Sequence, residues 1–452
     1  MDLKIFESGF TFENCELFEK KHSVGITART KSKKTIFETD REIYIEIQVI
    51  NKEQCKMIKP IGFNSLDIKP KVKDLLVSKK PAIFFKDRML YYSPEIGETK
   101  NIDFTKFSVI TYDPSACVCD MKAEYELRTK QIQAIAKKFG IDANEYNFII
   151  PIISRLIFCK VNKHIRGTEK ITTEESKILN SAYIGAMKYA KKGSSICNAV
   201  KYDINSFYPY IMCKSEFKFP VSQGLIKKTK KSYPLEIRHL KIIGDHKYFK
   251  RSEGDYYDTY QIELLNLLGV KYEETDRTKL CYEQPINAKE LFGYFDELYE
   301  LKLEGNKYAK EMMNATHGLL SKKKEFEIPG NSIREDQKPY VVDYDEKRDV
   351  WLLSCDQPFK YDYGRIKTFL NSYVRLYIVK HYLIPLEQKG HQVYLSNVDS
   401  FVTDAKEDQI RALGINFSKL MGDIKIENVY EGFWEIEHIH KVVDVNIFTD
   451  QT

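Results

Sequence analysis

The chain has 452 residues, of which 43% are hydrophobic and 30% are charged, so it can bury a sizeable core in roughly two to four structural units. Its net charge of +6 permits a nucleic-acid partner without requiring one. Among the 9 cysteines only Cys117 and Cys119 lie close together, and no partners follow at zinc-ligand spacing, so we expect free thiols in a reducing compartment rather than a disulfide framework.

The N-terminal segment MDLKIFESGF lacks the apolar core of a signal peptide, and no run of about 18 apolar residues occurs. We therefore expect an intracellular, cytoplasmic protein with no membrane partner.

The first third of the chain is predicted to be β-rich and then helical. EIYIEIQVI alternates with the period of a strand, and PAIFFKDRMLYYSPEIGE has the pattern of a hairpin. A long amphipathic helix is predicted to end at Gly140, followed by an apolar helix within NEYNFIIPIISRLIFCKVNKHI.

The rest of the chain mixes strands and helices. A glycine-containing loop, AYIGAMKYAKKGSS, precedes a strand that ends at Asp203. The further predictions are short strands and turns over 216–285, helices over 288–306 and 307–324, a protruding β-hairpin over 325–362, a long helix over 365–390, and a strand–turn–strand over 391–404. Antiparallel strands with helices on one face explain this order, so the predicted fold class is α+β.

Three of these elements carry residues that suit phosphoryl transfer. Asp203 ends one strand, and Asp399 lies at the turn between two others. Lys310 and Asn314 share one helix face because they are four residues apart. Paired carboxylates can bridge divalent metals, and a facing lysine can hold a triphosphate.

The same residues have simpler explanations. KYDINSFYPYIM alone is typical of a strand-to-helix junction, with Asn205 or Ser206 as the helix cap and the aromatic residues in the core. The basic runs RTKSKK, KKTKK and SKKKEF are each typical of solvated loops.

Taken in order, four motifs resemble those of family B DNA polymerases over roughly residues 180 to 430. YDINSFYP resembles motif A, Asp-x-x-Ser-Leu-Tyr-Pro; KEMMNATHG is similar to motif B, Lys-x3-Asn-x-x-Tyr-Gly; and LSNVDSF resembles motif C, Tyr-x-Asp-Thr-Asp-Ser. AYIGA is similar to the Tyr-x-Gly-Gly/Ala element of the protein-primed branch, and SYPLEIRHL also fits that branch.

The resemblance implies a right-hand-like polymerase with an antiparallel-sheet palm, helical fingers and an N-terminal exonuclease-like domain. The expected divisions are a degenerate exonuclease-like domain over 1–180, palm over 181–290, fingers over 291–324, a β-hairpin insertion over 325–362, and palm with a truncated thumb region over 363–452.

The resemblance also implies roles for single residues. Asp203, Asp399 and the Ile204 carbonyl would hold Mg²⁺ or Mn²⁺. The incoming deoxynucleotide would be bound by Tyr208, which excludes the 2′-hydroxyl, by Lys302 and Lys310 at the triphosphate, and by Asn314 and His317 in the pocket. Tyr183 and Gly185 would contact the template strand.

Several positions depart from the family pattern. Asn397 replaces the first motif C aspartate, which predicts weakened metal affinity, and His317 replaces the usual tyrosine, which predicts lower fidelity. The Lys-x-Tyr element has its nearest candidate in DVNIFTDQT, where Asn446 or a neighbour replaces the lysine, so a short or missing thumb is expected.

The region in the place of the 3′–5′ exonuclease lacks the required acids. KIFESG and TIFETD have isoleucine where the first motif needs aspartate, and YELRT has Thr129 in place of the aspartate of the third motif. Without these carboxylates two metals cannot be held, which predicts no nuclease activity.

The resulting hypothesis is a template-directed DNA polymerase without proofreading, which replicates a viral or mobile genome in the host cytoplasm. Its partners would be primer–template DNA, deoxynucleotides and a terminal protein or another replication subunit. One alternative is a polymerase-derived, catalytically weak or inactive nucleic-acid-binding subunit; another is an unrelated phosphoryl-transfer or nuclease fold.

Overall fold

The computed structural model describes residues 25–30, 35–38, 44–51, 54–61, 79–85, 89–103, 106–112, 120–162, 170–193, 195–320, 322–329, 333, 341–345, 349–359, 363–438 and 441–444. The chain divides into two units. Unit 1 comprises Met1–Glu126 with Asn144–Phe148, and unit 2 comprises Leu127–Ala143 with Ile149–Thr452. The predicted segments KIFESG and Asn446, and the cysteines Cys117 and Cys119, lie outside the described residues.

Unit 1 holds two four-stranded sheets, which confirms the predicted β-rich start. The first has the order β2-β1-β3-β4 and the second the order β7-β6-β5-β8. The strands are β1 Gly25–Thr30, β2 Thr35–Glu38, β3 Tyr44–Asn51, β4 Gln54–Ile61, β5 Lys80–Phe85, β6 Leu90–Ser93, β7 Gly97–Thr99 and β8 Phe107–Tyr112. β5 and β6 form the predicted antiparallel hairpin, and its buried side chains Ile83, Phe85 and Tyr92 pack with Met121 and Tyr125.

The two helices predicted next are present. Helix α1, Met121–Lys138, starts where the Asp120 carboxylate accepts the Lys122 and Ala123 N–H groups at 2.9 and 3.1 Å. After α1 the chain turns at Gly140, whose φ of +65° suits glycine. Helix α2 is Ile150–Val161.

Unit 2 is organised around a six-stranded sheet with the order β23-β22-β10-β21-β20-β9. All of its pairings are antiparallel, as predicted from the motif-bearing strands. Its strands are β9 Lys188–Ala190, β10 Ser195–Ile204, β20 Val393–Asn397, β21 Ser400–Thr403, β22 Ile424–His438 and β23 Lys441–Asp444. One face buries Ile196, Ala199, Leu395, Val402 and Ile436.

Unit 2 also contains smaller sheets, with the orders β11-β16, β12-β15-β13-β14 and β17-β19-β18. Their strands are β11 Lys218–Pro220, β12 Leu225–Lys228, β13 Leu235–Ile243, β14 Tyr256–Asp258, β15 Lys271–Tyr282, β16 Pro285–Asn287, β17 Lys323–Pro329, β18 Val341–Asp345 and β19 Val350–Phe359. The hairpin predicted over 325–362 is therefore part of a three-stranded sheet.

The other helices of unit 2 follow the chain order. They are α3 Thr173–Ala182, α4 Phe207–Cys213, α5 Thr259–Leu267, α6 Ala288–Phe292, α7 Phe295–Leu303, α8 Lys307–Leu320, α9 Gly364–Ile378, α10 Ile384–Gln388 and α11 Glu407–Arg411. Within the described part of the chain, no helix has the length and apolar character needed to cross a bilayer.

Two helix predictions were wrong in detail. Strands and turns were expected over 216–285, but α5 lies there, started by a capping box between Asp258 and Gln261. One helix was expected over 288–306, but α6 and α7 are separate. They part at Gly293, where an added Cβ would lie 2.9 Å from the Lys289 carbonyl oxygen, so the backbone approach there requires glycine.

The long helix predicted over 365–390 is present, but it is not regular. A π-helical stretch, Val379–Leu383, joins α9 to α10. Pro385, two residues after this stretch, has no N–H to donate, so the local change in hydrogen bonding falls where an α-helix would be interrupted. Past α10, Gly390 has a φ of +86°.

Candidate active site

The pairing of β10 with β21 brings the two predicted aspartates together. Tyr202 and Ile204 are buried on one face of β10, so Asp203 between them points to the other face. Asp203 is the register partner of Ser400, the residue after Asp399. The Ile204 N–H donates to the Asp399 carbonyl oxygen at 2.8 Å. The sequence prediction that the two acids lie on neighbouring strands is thus matched by the register.

The turn that carries Asp399 is tight and strained. The Asp399 N–H donates to the Asn397 carbonyl at 2.8 Å, two residues back, and Val398 between them has a φ of +60°. A β-branched residue rarely occupies this left-handed region. The Val398 N–H donates to the Met187 carbonyl at 2.8 Å, which joins the turn to the segment just before β9. The strain is therefore held by backbone hydrogen bonds on both sides of Val398.

The turn after Asp203 is fixed in a similar way. Ser206 has a φ of +49° and precedes α4. Asn205 exchanges backbone hydrogen bonds of 2.8 Å with the 422–423 segment, and its side-chain amide donates to the Ser418 carbonyl at 2.7 Å. Gly422, with a φ of +89°, packs so closely on Tyr210 that a Cβ would overlap the ring. This packing fixes where β10 ends and α4 begins.

The carboxylate pair lies among lysine side chains. Lys425 is the cross-strand partner of Asp203, and its Nζ is 3.0 Å from Asp203 Oδ2. Burial and the nearby Asp203 charge raise the pKa of Asp399 above its usual value. Burial and the charges of Lys310 and Lys425 lower the pKa of Lys302. Two acids and three lysines are thus within electrostatic reach of one another.

Lys302 makes specific contacts beside the carboxylates that its place in the sequence did not predict. Its Nζ donates to the Ser206 hydroxyl at 3.0 Å and lies 4.4 Å from the centroid of the Tyr299 ring. The contact joins α7 to the turn that follows Asp203. Lys310 and Asn314 are exposed on α8, where Lys310 influences the pKa of both Asp399 and Lys302.

The oxygen donors suit a hard divalent cation. The chain offers the carboxylates of Asp203 and Asp399 and the carbonyl of Ile204, the kind of donor set that Mg²⁺ prefers. The Asp203 charge raises the cost of ionising Asp399, so a bound cation would relieve the repulsion between them. No cluster of three or more His, Cys, Asp or Glu side chains able to hold a metal occurs among the described residues. Asp203, Asp399 and the Ile204 carbonyl are thus the groups that would hold a cation here.

Tyr208, the predicted sugar-contacting residue, is enclosed by polar groups. Its ring centroid is 4.2 Å from that of His317, and its hydroxyl donates to Asn371 Oδ1 at 3.4 Å. Lys367 Nζ lies 5.3 Å from the Tyr208 ring centroid and contacts His317 Nε2. Burial raises the pKa of Tyr208, and the nearby charges of Tyr183 and Asp399 raise it further.

Lys367 and Asn371 belong to a polar stripe on α9 that sequence reasoning missed. Together with Arg375 they recur every four residues, and all three are buried, with 6%, 2% and 4% of their surfaces exposed. Arg375 donates to the carbonyls of Gly185 and Ala186, both at 3.2 Å. The spacing of the three polar residues within a buried apolar helix was the signal available in the sequence.

The polar stripe also anchors the AYIGA segment. Asn371 Nδ2 donates to the Ile184 carbonyl at 3.4 Å, beside the two carbonyls that Arg375 binds. Tyr183, by contrast, leaves 40% of its surface exposed, and a Cβ added at Gly185 would meet no atom within 4 Å. One side of this segment is thus held by α9 and the other is open.

The residues of the predicted nuclease motifs are only partly described. Thr35–Glu38 forms β2, and Tyr125 and Thr129 lie on α1. Tyr125 is 8% exposed, and burial raises its pKa to about 12. The inactivity of this region stays a prediction.

No protein-family model and no curated protein matches the sequence. Solved structures do match. "Phi29 DNA polymerase complexed with single-stranded DNA" aligns with a TM-score of 0.52 and 14% identity, over 69% of this chain and 56% of that chain. "Phi29 DNA polymerase complexed with primer-template DNA (post-translocation binary complex)" aligns with a TM-score of 0.51 and 13% identity, over 95% of this chain and 76% of that chain. The ternary complex of that polymerase aligns with a TM-score of 0.50 and 15% identity, and 60% of its length is covered.

At these identities the likeness defines the fold. The chain has a mixed helix-and-sheet fold similar to that of these DNA polymerase structures. Over two of these matches the chain spans 56% and 60% of the polymerase's length.

Proposed function

We propose that the chain is a template-directed DNA polymerase, a nucleotidyltransferase that adds deoxynucleotides to a primer end. The observation that carries this proposal is the pairing of β10 with β21, which sets Asp399 beside Asp203 at the end of an antiparallel sheet. Lys302, Lys310 and Lys425 lie near the two carboxylates, and Tyr208 is close enough to Asp399 for that charge to raise its pKa. The polymerase fold of the matched structures supports the same conclusion.

The residues would divide the work by their chemistry. Asp203, Asp399 and the Ile204 carbonyl would hold Mg²⁺ or Mn²⁺, which when bound would activate the primer hydroxyl and neutralise developing charge. Lys302 and Lys310 would bind the triphosphate, because both lie near enough to the two carboxylates to interact with them electrostatically.

The sugar and base of the nucleotide and the template strand would be held by a second set of residues. Tyr208 would lie against the sugar and exclude a 2′-hydroxyl, with the His317 ring tilted against it and Asn314 on the exposed face of α8. Tyr183 and Gly185 would contact the template strand from the open side of the AYIGA segment.

Primer extension tests the proposal directly. The wild-type chain with primer–template, dNTPs and Mg²⁺ or Mn²⁺ should extend the primer. Asp203→Asn and Asp399→Asn should each lower the rate by about a thousandfold or more, the order expected when charge stabilisation of a transition state is removed. Asp408→Asn, on the exposed first turn of α11, is the matched control and should keep the full rate. An inactive wild-type chain, or an active Asp203→Asn variant, would overturn the proposal.

A second candidate function is a polymerase-derived nucleic-acid-binding subunit with weak or no catalysis. The Lys425–Asp203 ion pair favours it, because that ammonium occupies one oxygen of the carboxylate pair. In this case the chain would bind primer–template DNA with a steep salt dependence but would not extend it, and the aspartate variants would bind as the wild type does.

The biological setting is part of the same proposal. The resemblance favours replication of a viral or mobile genome, with a terminal protein or another replication subunit as partner.

A further inference from the structure

A buried lysine lies against the residue proposed to select the sugar. Lys367 is 6% exposed, and its Nζ lies 5.3 Å from the Tyr208 ring centroid and in contact with His317 Nε2. The His317 and Tyr208 rings are 4.2 Å apart. Each of the three side chains therefore contacts the other two, and together they form one closed cluster.

The cluster contains no acid that would neutralise the lysine. No ion pair involving Lys367 is found in the described part of the chain, and burial alone lowers its pKa, to about 7. Burying an amine without a carboxylate is costly unless other groups replace its hydration. The groups available are the π face of Tyr208 and the imidazole of His317.

The contact with His317 sets the state of that imidazole. In its protonated form Lys367 can only donate hydrogen bonds, so against that ammonium Nε2 of His317 accepts and the ring proton lies on Nδ1. Burial and the Lys367 charge lower the pKa of His317 to about 3, so the ring stays neutral at physiological pH. A neutral ring with a fixed tautomer has a defined orientation beside Tyr208.

The hydroxyl of Tyr208 is bound by α9, the helix that also carries Lys367. Asn371, one turn after Lys367 on α9, accepts its hydrogen bond at 3.4 Å. One face of α9 thus contacts the ring through Lys367 and the hydroxyl through Asn371. The position of the Tyr208 ring is therefore determined at both ends.

We propose that Lys367 is a positioning residue for sugar selection, which holds Tyr208 directly and through His317 where its ring excludes ribonucleoside triphosphates. This inference rests on the proposed polymerase function. The ligand is a deoxyribonucleoside triphosphate whose 2′ carbon packs on Tyr208, and Lys367 acts on it through the ring without touching it.

The test compares single-nucleotide incorporation of a dNTP and the matching rNTP. The measured quantity is the ratio of their kcat/KM values, for the wild type, Lys367→Met and Lys367→Arg. Lys367→Met keeps the side-chain volume but removes the charge and the donor, so the ratio should fall about tenfold, the order of one desolvated cation–π contact with its hydrogen bond. Lys367→Arg should restore most of it.

Two further variants make the result specific. Lys389→Met, at an exposed lysine after α10, should leave the ratio unchanged. His317→Phe keeps a ring beside Tyr208 but removes the acceptor, and it should lower the ratio as Lys367→Met does. If circular dichroism shows that Lys367→Met does not fold, His317→Phe alone decides.

The outcomes separate the two proposals. A wild-type chain that does not extend with dNTPs overturns the polymerase function and this inference with it. Extension with an unchanged dNTP-to-rNTP ratio in Lys367→Met, or in His317→Phe where that variant decides, overturns only the role of Lys367. If both nucleotides are incorporated more slowly but their ratio stays constant, the role of Lys367 in sugar selection is also overturned. That result would show that Lys367 has only a structural role.

Discussion

At the scale of single residues, the most informative position is one that no motif contains. Lys425 contacts Asp203 because β22 pairs with β10 across 222 residues of sequence, and neither strand's pattern specifies that register. Asp203 and Asp399 could be predicted because each ends or starts a strand within a recognisable motif. Lys425 could not, since its neighbour is decided by the pairing of distant strands.

Removing Lys425 should strengthen divalent cation binding at the carboxylates. In Lys425→Met the ammonium that pairs with Asp203 Oδ2 is lost, so a cation no longer competes with it. Lys425 is 52% exposed, so the gain should be modest, about two- to fivefold in affinity. Titration with Mn²⁺ followed by electron paramagnetic resonance measures it without DNA or nucleotide.

Lys380→Met, which removes an exposed lysine paired with Glu263 at 3.1 Å, is the control and should leave the Mn²⁺ affinity unchanged. Weaker binding by Lys425→Met would mean that this lysine supports the site instead of competing for it.

At the scale of elements, period and capping residues predicted most of the structure, and tertiary context decided the rest. β3 follows from a period-two pattern, β10 from a short apolar run, and β20 and β21 from a strand–turn–strand pattern, while α1 and α8 follow from helical spacing. α5 was missed because TYQIELLNL is short and rich in residues that also occur in strands, although Asp258 and Gln261 have the spacing of a capping box. The polar stripe of α9 was missed because its partners come from α8 and the AYIGA segment.

Asp258 should make the stability of unit 2 depend on pH. Burial raises its pKa from 3.8 to about 7, against hydrogen bonds from Ser372, Gln261 and Tyr260 that lower it. The folded state therefore holds a proton that the unfolded state has released between these values. By linkage this contribution to the free energy of unfolding is complete below pH 3.8 and is lost as the pH rises through 7.

Asp258→Asn removes this titration and keeps a cap that can accept the Tyr260 and Gln261 N–H groups. Thermal unfolding at pH 5 and pH 8 should show a smaller loss of Tm in the variant, with roughly 2–4 °C for each kcal/mol. Equal losses in both proteins would show that Asp258 is already charged in the folded state.

At the scale of the whole molecule, the two units differ in how far the sequence defines a function. The carboxylates, the lysine cluster and the Tyr208 pocket all belong to unit 2, where the motif order survives. Unit 1 offers β sheets and the start of α1, with Tyr125 buried, whereas Thr129, which stands where the third nuclease motif needs an acid, belongs to unit 2. The net charge of +6 belongs to the whole chain, so it permits DNA binding but does not indicate which unit would bind DNA.

Residues 1–180, where the resemblance places an exonuclease-like domain, should give no proofreading. Hydrolysis at a 3′ end by two metals needs carboxylates, and a threonine hydroxyl at position 129 supplies no charge to hold them. A 5′-labelled single-stranded oligonucleotide incubated with Mg²⁺ and no dNTPs should stay at full length. A primer with a mismatched 3′ end should be extended slowly but not shortened. Release of mononucleotides by an activity that co-elutes with the chain in gel filtration would contradict this prediction. It would mean that acids elsewhere in the chain supply the missing ligands, because neither Ile36 in TIFETD nor Thr129 can do so.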